Sequence, residues 1–203
     1  MTPSVRGVFV TGTGTDVGKT FVSTWLVRSW KAEYWKPVQT GTMDAWDADL
    51  IRRLVPNTRI HDSRHAFSDP LSPHAAAERA GVTIRLEDFS LPETEAPLVV
   101  EGAGGVLVPL NDQDLMVDLM KRLDLPVLLV ACSGLGTINH TLLSLEALRS
   151  RGLEPAGVIL NGPPNPGNRT AIEKFGKVTV VAELPDLVDF EALKQITPLA
   201  WRP

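Results

Sequence analysis

Lys19 and Thr20 close a glycine-rich stretch, Gly12-Thr13-Gly14-Thr15-Asp16-Val17-Gly18-Lys19-Thr20, directly after the apolar run Val8 to Val10. An apolar strand, a glycine-rich turn and an amphipathic segment opening at Gly18-Lys19-Thr20 are the context of a phosphate-binding loop. Consecutive backbone N–H groups in such a loop, together with the helix N-terminus, form a concave site for phosphate oxygens. Lys19 is then expected to reach the terminal phosphates as a point charge, with the Thr20 hydroxyl on Mg²⁺. The loop is one residue longer between its first glycine and Gly18 than the common form. A nucleoside triphosphate is the ligand this pattern implies.

Two further groups suit phosphoryl chemistry. Lys36 precedes Pro37, which biases it toward an extended conformation and projects it from a strand end. A second cation there would stabilise charge on a transferred phosphoryl group, although lysine in general is a solvated surface residue. Glu101 ends the apolar run Leu98-Val99-Val100 and is followed by Gly102-Ala103-Gly104-Gly105. A carboxylate at a strand tip can take Mg²⁺, and small residues beside it let backbone approach a ligand. The alternative is a tight turn with Glu101 in solvent. Asp44, Asp47 and Asp49 follow the second strand. One of them can complete a Mg²⁺ shell, the others serving as acids in a first helical turn. His61, His65 and His74 lack the cysteines or tight grouping of a zinc site. No serine sits in a Gly-x-Ser-x-Gly elbow.

These groups need a scaffold that brings strand ends together. Apolar runs mark strands at 6–11, 34–38, 97–101, 126–131, 156–160 and 178–182. Most are continuously apolar, as expected of strands covered on both faces. Val22, Trp25, Leu26 and Ser29 trace one largely apolar helix stripe. Ile138, Leu142 and Leu145 trace another, on a helix ending near Arg149-Ser150-Arg151 with Gly152 as its cap. The less apolar stretch from Thr42 to Pro97 is expected to hold helices at Asp47 to Leu54 and His74 to Ala80, and residues 196–203 read as irregular. Alternating strands and helices imply one doubly wound α/β domain over residues 1–203, a mainly parallel sheet flanked by helices. In that fold ligands bind beyond the carboxyl ends of the strands.

The 203 residues carry 20 Lys and Arg against 24 Asp and Glu, a net charge of −4, which offers no electrostatic case for nucleic acid. Cys132, the one cysteine, follows the apolar run Val127 to Ala131 and is expected to be a buried structural thiol in a reducing compartment. Residues Met1 to Gly7 lack the apolar core of a secretory signal, and no run reaches the length of a membrane span. A cytoplasmic protein with no membrane partner is the expectation.

Taken together, Gly12 to Thr20, Lys36-Pro37-Val38-Gln39-Thr40-Gly41, Ser72-Pro73-His74 and Val100 to Gly105 resemble the motifs of dethiobiotin synthetases. Leu135-Gly136-Thr137-Ile138-Asn139-His140, Gly157 to Asn161 and Glu183-Leu184-Pro185 continue the match in family order, so it spans about residues 7 to 187. The resemblance implies a P-loop NTPase fold and ring closure of 7,8-diaminopelargonate with CO2 to dethiobiotin. ATP is the co-substrate, and a carbamate and a carbamic–phosphoric anhydride are intermediates. It implies ATP contacts from Asp16, Val17, Gly18, Lys19, Thr20, Phe21, Asp47, Glu101, Gly102, Ala103 and Gly104. Asn161 and Gly162 with Pro185, Asp186 and Leu187 would meet the adenine base. Lys19 and Lys36 would be catalytic, and Thr20, Asp47 and Glu101 would hold Mg²⁺. Thr15, Lys36 and Thr40 would meet the diamine. Its carboxylate tail would meet Gly136-Thr137-Ile138-Asn139 of the neighbouring subunit in a homodimer, where a helix start favours an anion. The short match beyond Leu187 implies an open base pocket with weak preference for ATP over CTP or GTP. Two other readings share such loops. A partitioning ATPase would carry an extra lysine where Thr13, Gly14 and Thr15 stand, and a cobyrinate-type amidotransferase would need a glutaminase partner.

Overall fold

In the computed structural model the described residues are 7–43, 47–185 and 196. Asp44, Asp186, Leu187 and most of 196–203 therefore lie outside them. The chain alternates strands and helices: β1 (Gly7–Gly12), α1 (Lys19–Trp30), β2 (Glu33–Trp35), β3 (Val38–Gln39), α2 (Asp47–Leu54), β4 (Ile60–His61), β5 (His65–Ala66) and α3 (Pro73–Arg79). After a 3-10 turn at Leu86–Asp88 come β6 (Leu98–Gly105), α4 (Met116–Leu123), β7 (Val127–Cys132), α5 (Thr137–Arg149), β8 (Gly157–Asn161), α6 (Pro166–Gly176) and β9 (Val180–Leu184). Seven strands pair in the order β4-β2-β6-β1-β7-β8-β9, every pairing parallel. The expected doubly wound α/β architecture is present. Chain order reverses at β1, with β2, β4 and β6 on one side and β7 to β9 on the other, so a ligand crevice belongs at its carboxyl end.

Alternate residues of each strand feed opposite layers. Val8, Val10, Tyr34, Val99, Leu128 and Ile159 pack with Val22, Trp25 and Leu26 of α1. Phe9, Val100 and Leu129 pack with Met116, Leu119 and Met120 of α4. Helix α1 is buried on more than one stripe, since Phe21, Ser23, Thr24, Val27 and Trp30 are covered as well. The reason is a second cover: Ile51 of α2 joins the same cluster.

The departures from expectation have local causes. The expected 34–38 strand breaks after Trp35, because Pro37 has no N–H to continue a ladder. Its carbonyl instead accepts from the backbone N–H groups of Arg64 and His65 at 2.9 and 3.1 Å, and β3 pairs with β5 in a separate small sheet. β6 runs on past Glu101 to Gly105, where Gly105 pairs with Gly12 of β1. Cys132 is exposed rather than buried: it is the last residue of β7, beyond the layers that cover Val127 to Ala131. Helix α2 has the expected bounds and α3 begins one residue early at Pro73. Helices α4 and α6 join those whose faces were read from the sequence; α6 starts at Pro166 behind Asn165, whose side chain accepts from the Asn168 N–H.

Candidate active site

The phosphate loop leaves β1 where its register with β6 shifts, between Val10 and Gly12. Gly18 caps α1 with φ +91°, and a Cβ there would collide with the Asn161 amide, so only glycine fits. Lys19 folds back across the loop, its ammonium donating to the Gly14 carbonyl at 2.8 Å. Burial lowers its pKa, opposed by the charge of Glu101. A buried ammonium with a carbonyl as its hydrogen-bond partner is available to an incoming anion.

The break at Pro37 delivers Lys36 to the same crevice. Tyr34 and Lys36 share a face of the chain, as do Val99 and Glu101 beside them, so the lysine meets the buried carboxylate. Its ammonium donates to Glu101 Oε1 at 3.1 Å and to Asp47 Oδ2. The Thr20 hydroxyl lies 2.8 Å from Asp47 Oδ1 and 2.9 Å from Glu101 Oε1. The phenol of Tyr34 donates to Glu101 Oε2 at 3.0 Å. Burial pulls the Lys36 pKa down, but Glu101 and Asp47 overcome it and hold it above the usual lysine value. Burial likewise pushes Asp47 up, yet the Lys36 charge and the hydrogen bonds from Lys36 and Thr20 leave it below the usual carboxylate value. Burial, then the Glu101 charge, drives Tyr34 far above the ordinary phenol range.

These side chains open on a cleft of about 680 Å³, the size of a small-molecule site. Thr15, Asp16, Gly18, Lys19, Thr20 and Phe21 form one wall. Lys36, Thr40, Asp47, Glu101, Ala103 and Gly104 complete the set drawn from sequence. Gln39, Gly41, Leu50, Val108 and the run Pro70-Leu71-Ser72-Pro73 also line it. Of these Gln39, Gly41, Ser72 and Pro73 belong to motifs read from the sequence, whereas Leu50, Pro70, Leu71 and Val108 do not. Gly102 packs beneath, where a Cβ would meet Phe9 and Met116. Asn161, Gly162 and Pro185 lie at the ends of β8 and β9, outside the cleft lining, with the Asn161 side chain donating to the Val17 carbonyl at 3.3 Å. Its Oδ1 is buried without a partner among the described residues. Val17 is buried under the loop. Gly136 to Asn139 form the start of α5, also outside the cleft of their own chain. Asp49 is exposed and pairs with Arg52, so of these two Asp47 is the aspartate in the cleft.

Among the described residues no cluster of three or more His, Cys, Asp or Glu is placed to hold a metal ion. His61 and His65 each face a single carboxylate, Glu33 and Asp88. The Thr20 hydroxyl between Asp47 and Glu101 is a hard oxygen set of the kind Mg²⁺ accepts when phosphate oxygens and water supply the remainder.

A parallel sheet switching at β1, with a glycine-rich loop into α1 and a threonine between carboxylates, defines a P-loop ATPase fold. Solved structures agree on that fold. A ParA family ATPase from Chlorobium tepidum aligns with TM-score 0.56 at 13% identity, covering 94% of this chain and 87% of that one. A nucleotide-binding protein in complex with ADP from Archaeoglobus fulgidus aligns with TM-score 0.50 at 13% identity over 97% and 88%. Residues 6–193 match the AAA domain family. Curated relatives are more specific. The ATP-dependent dethiobiotin synthetase BioD of Paramagnetospirillum magneticum is 56% identical, covering 90% of this chain and 89% of its own. The BioD of Christiangramia forsetii is 44% identical over 93% and 91%. The chain belongs to the ATP-dependent dethiobiotin synthetase family, whose members are ATP-dependent ligases.

Proposed function

We propose that the cleft closes 7,8-diaminopelargonate and CO2 into the cyclic urea of dethiobiotin at the expense of ATP. The observation that carries this reading is the convergence of Lys36, Asp47, Glu101 and Thr20 at the foot of the phosphate loop. One amine adds to CO2 and loses a proton, giving a carbamate. A carbamate oxygen then takes the γ-phosphoryl group from ATP, and ADP leaves. The second amine attacks the carbamate carbon, the C–O bond to phosphate breaks, and a proton is lost as the ring closes. Positioning and charge neutralisation dominate such chemistry.

The chain's residues divide that work. Backbone N–H groups from Thr15 to Thr20 and the Lys19 ammonium, exchanged from the Gly14 carbonyl, receive the β- and γ-phosphates. Lys36 orients the carbamate and steadies the migrating phosphoryl group. Thr20, Asp47 and Glu101 hold Mg²⁺, which supplies neutralisation of the phosphate oxygens when bound. Thr40 and Thr15 meet the diamine. Asn161, Gly162 and Pro185 face the base, a role supported by the Asn161 oxygen, which is buried without a partner among the described residues; Asp186 and Leu187 lie outside those residues.

The substrate carboxylate goes to Gly136-Thr137-Ile138-Asn139 of a second copy in a homodimer. Two features support a dimer: the α5 start lies outside its own cleft, and Leu107 and Leu143 are exposed along a smaller cleft between the loop and α5. A cytoplasmic location suits the ATP requirement, and no helix of the described residues is long and apolar enough to cross a membrane.

The test is phosphate release with MgATP and bicarbonate, with and without 7,8-diaminopelargonate, followed by mass spectrometry. Release that requires the diamine and matches dethiobiotin mole for mole is expected. Hydrolysis indifferent to the diamine would overturn the reading in favour of a switch ATPase.

A further inference from the structure

Glu101 is fully buried, and its two oxygens are treated differently. Oε1 faces the cleft, with Thr20 at 2.9 Å and Lys36 at 3.1 Å. Oε2 faces inward and meets the phenol of Tyr34 at 3.0 Å, a contact buried on both sides. Tyr34 itself has no exposed surface. It packs in the α1 layer with Val99 and Leu26. Its position follows from the sheet: Tyr34 pairs with Val99 across β2 and β6, two residues below Glu101 on the same face. An aromatic ring reaches such a diagonal neighbour.

A buried carboxylate with one oxygen free of partners is costly and rotates to find one. Here a turn of the carboxylate out of its present plane breaks the phenol bond. A phenol hydroxyl facing a carboxylate oxygen at 3.0 Å acts as the donor, the carboxylate accepting.

We propose that Tyr34 is a positioning residue: its O–H fixes Oε2 of Glu101 and so presents Oε1 to Thr20, Lys36 and the magnesium–nucleotide. This rests on the reading of Glu101 as a metal ligand. Partners that orient a metal-binding side chain from behind alter metal affinity or activity by about 10- to 100-fold when removed. The substrate diamine is not touched by Tyr34, so its binding stands apart from this effect.

The experiment uses Tyr34→Phe, Glu101→Gln, the double variant, and Val99→Ala as a packing control in the same layer. Affinity for Mn²⁺ with a non-hydrolysable ATP analogue is followed by water-proton relaxation, and kcat and KM are measured separately. Tyr34→Phe is expected to weaken Mn²⁺ binding about tenfold and to lower kcat with the diamine KM unchanged. Val99→Ala is expected to lower the melting temperature while leaving Mn²⁺ affinity as in the parent. The double variant is expected to bind Mn²⁺ no worse than Glu101→Gln alone. Parent-like Mn²⁺ affinity in Tyr34→Phe, with Glu101→Gln impaired, would overturn the positioning role and spare the metal reading. So would additive losses in the double variant. Parent-like Mn²⁺ affinity in Glu101→Gln would instead overturn the metal reading, and the positioning role with it.

Discussion

The two walls of the cleft each present one lysine, and they hold it in opposite ways. On the phosphate-loop wall, Lys19 donates to a backbone carbonyl and burial lowers its pKa. On the facing wall, Lys36 lies between Asp47 and Glu101, and those carboxylates more than offset its burial. A cation with a weak internal partner gains most from an incoming anion, whereas one already paired is fixed in place. On the proposed reading the same residue type would serve two tasks: Lys19 would receive nucleotide, and Lys36 would be a preset part of the reaction frame. The walls differ in construction too. The loop wall rests on the central strands β1 and β6, while Thr40, Gly41 and Pro70–Pro73 hang from the two-residue pairing of β3 with β5.

The largest way to break this division is Lys36→Ala. Loss of a donor aimed at developing charge is expected to lower kcat by about 10²- to 10³-fold with little change in ATP affinity. Unchanged turnover would remove Lys36 from the mechanism. Lys19→Ala comes next: ATP affinity by calorimetry should fall about 10- to 100-fold, the value of a charge-assisted hydrogen bond, and turnover should fall with it. If the two variants show the same split between binding and kcat, the contrast between the walls collapses. Thr40→Val sharpens it further, since it removes a hydroxyl while preserving shape. The diamine KM is expected to rise about fivefold, within the worth of one hydrogen bond, and ATP affinity to stay constant.

The smallest effect probes how the facing wall is fastened. Asp88 accepts from the Arg85 backbone N–H at 3.0 Å and from His65 of β5 at 3.1 Å. That backbone hydrogen bond first, then His65 and Arg64, keeps its carboxyl below the usual range. A group whose pKa is depressed by folding stabilises above its unfolded value and loses that contribution as pH falls through the folded value. Asp88→Asn should thus lower the melting temperature by no more than about 3 °C near neutrality. The gap between variant and parent should close below about pH 4. A gap that persists in acid would contradict the polar fastening.

What the sequence disclosed tracks how local each signal is. The phosphate loop is nine consecutive residues with a fixed chemistry, and Glu101 and Lys36 stand out as charges at the ends of apolar runs. Pro37 explains why Lys36 leaves the sheet. Part of the facing wall was hidden, because Leu50, Pro70, Leu71 and Val108 reach the cleft through contacts distant in sequence. Tyr34 was also overlooked, though its spacing from Lys36 places both on one face of an extended chain and marks it as a neighbour of the same carboxylate. Cys132 misled for the opposite reason: an apolar run predicts burial of its members, not of the residue that ends it.

The most direct test of the account follows oxygen rather than rate. Enzyme, ATP and the diamine are mixed with CO2 labelled with oxygen-18, and the released phosphate is examined by mass spectrometry before label exchanges with water. Transfer of the phosphoryl group to a carbamate on the Lys36 wall predicts one labelled oxygen in each phosphate. Unlabelled phosphate accompanied by dethiobiotin would contradict it, because the phosphoryl group would then have passed to some other acceptor.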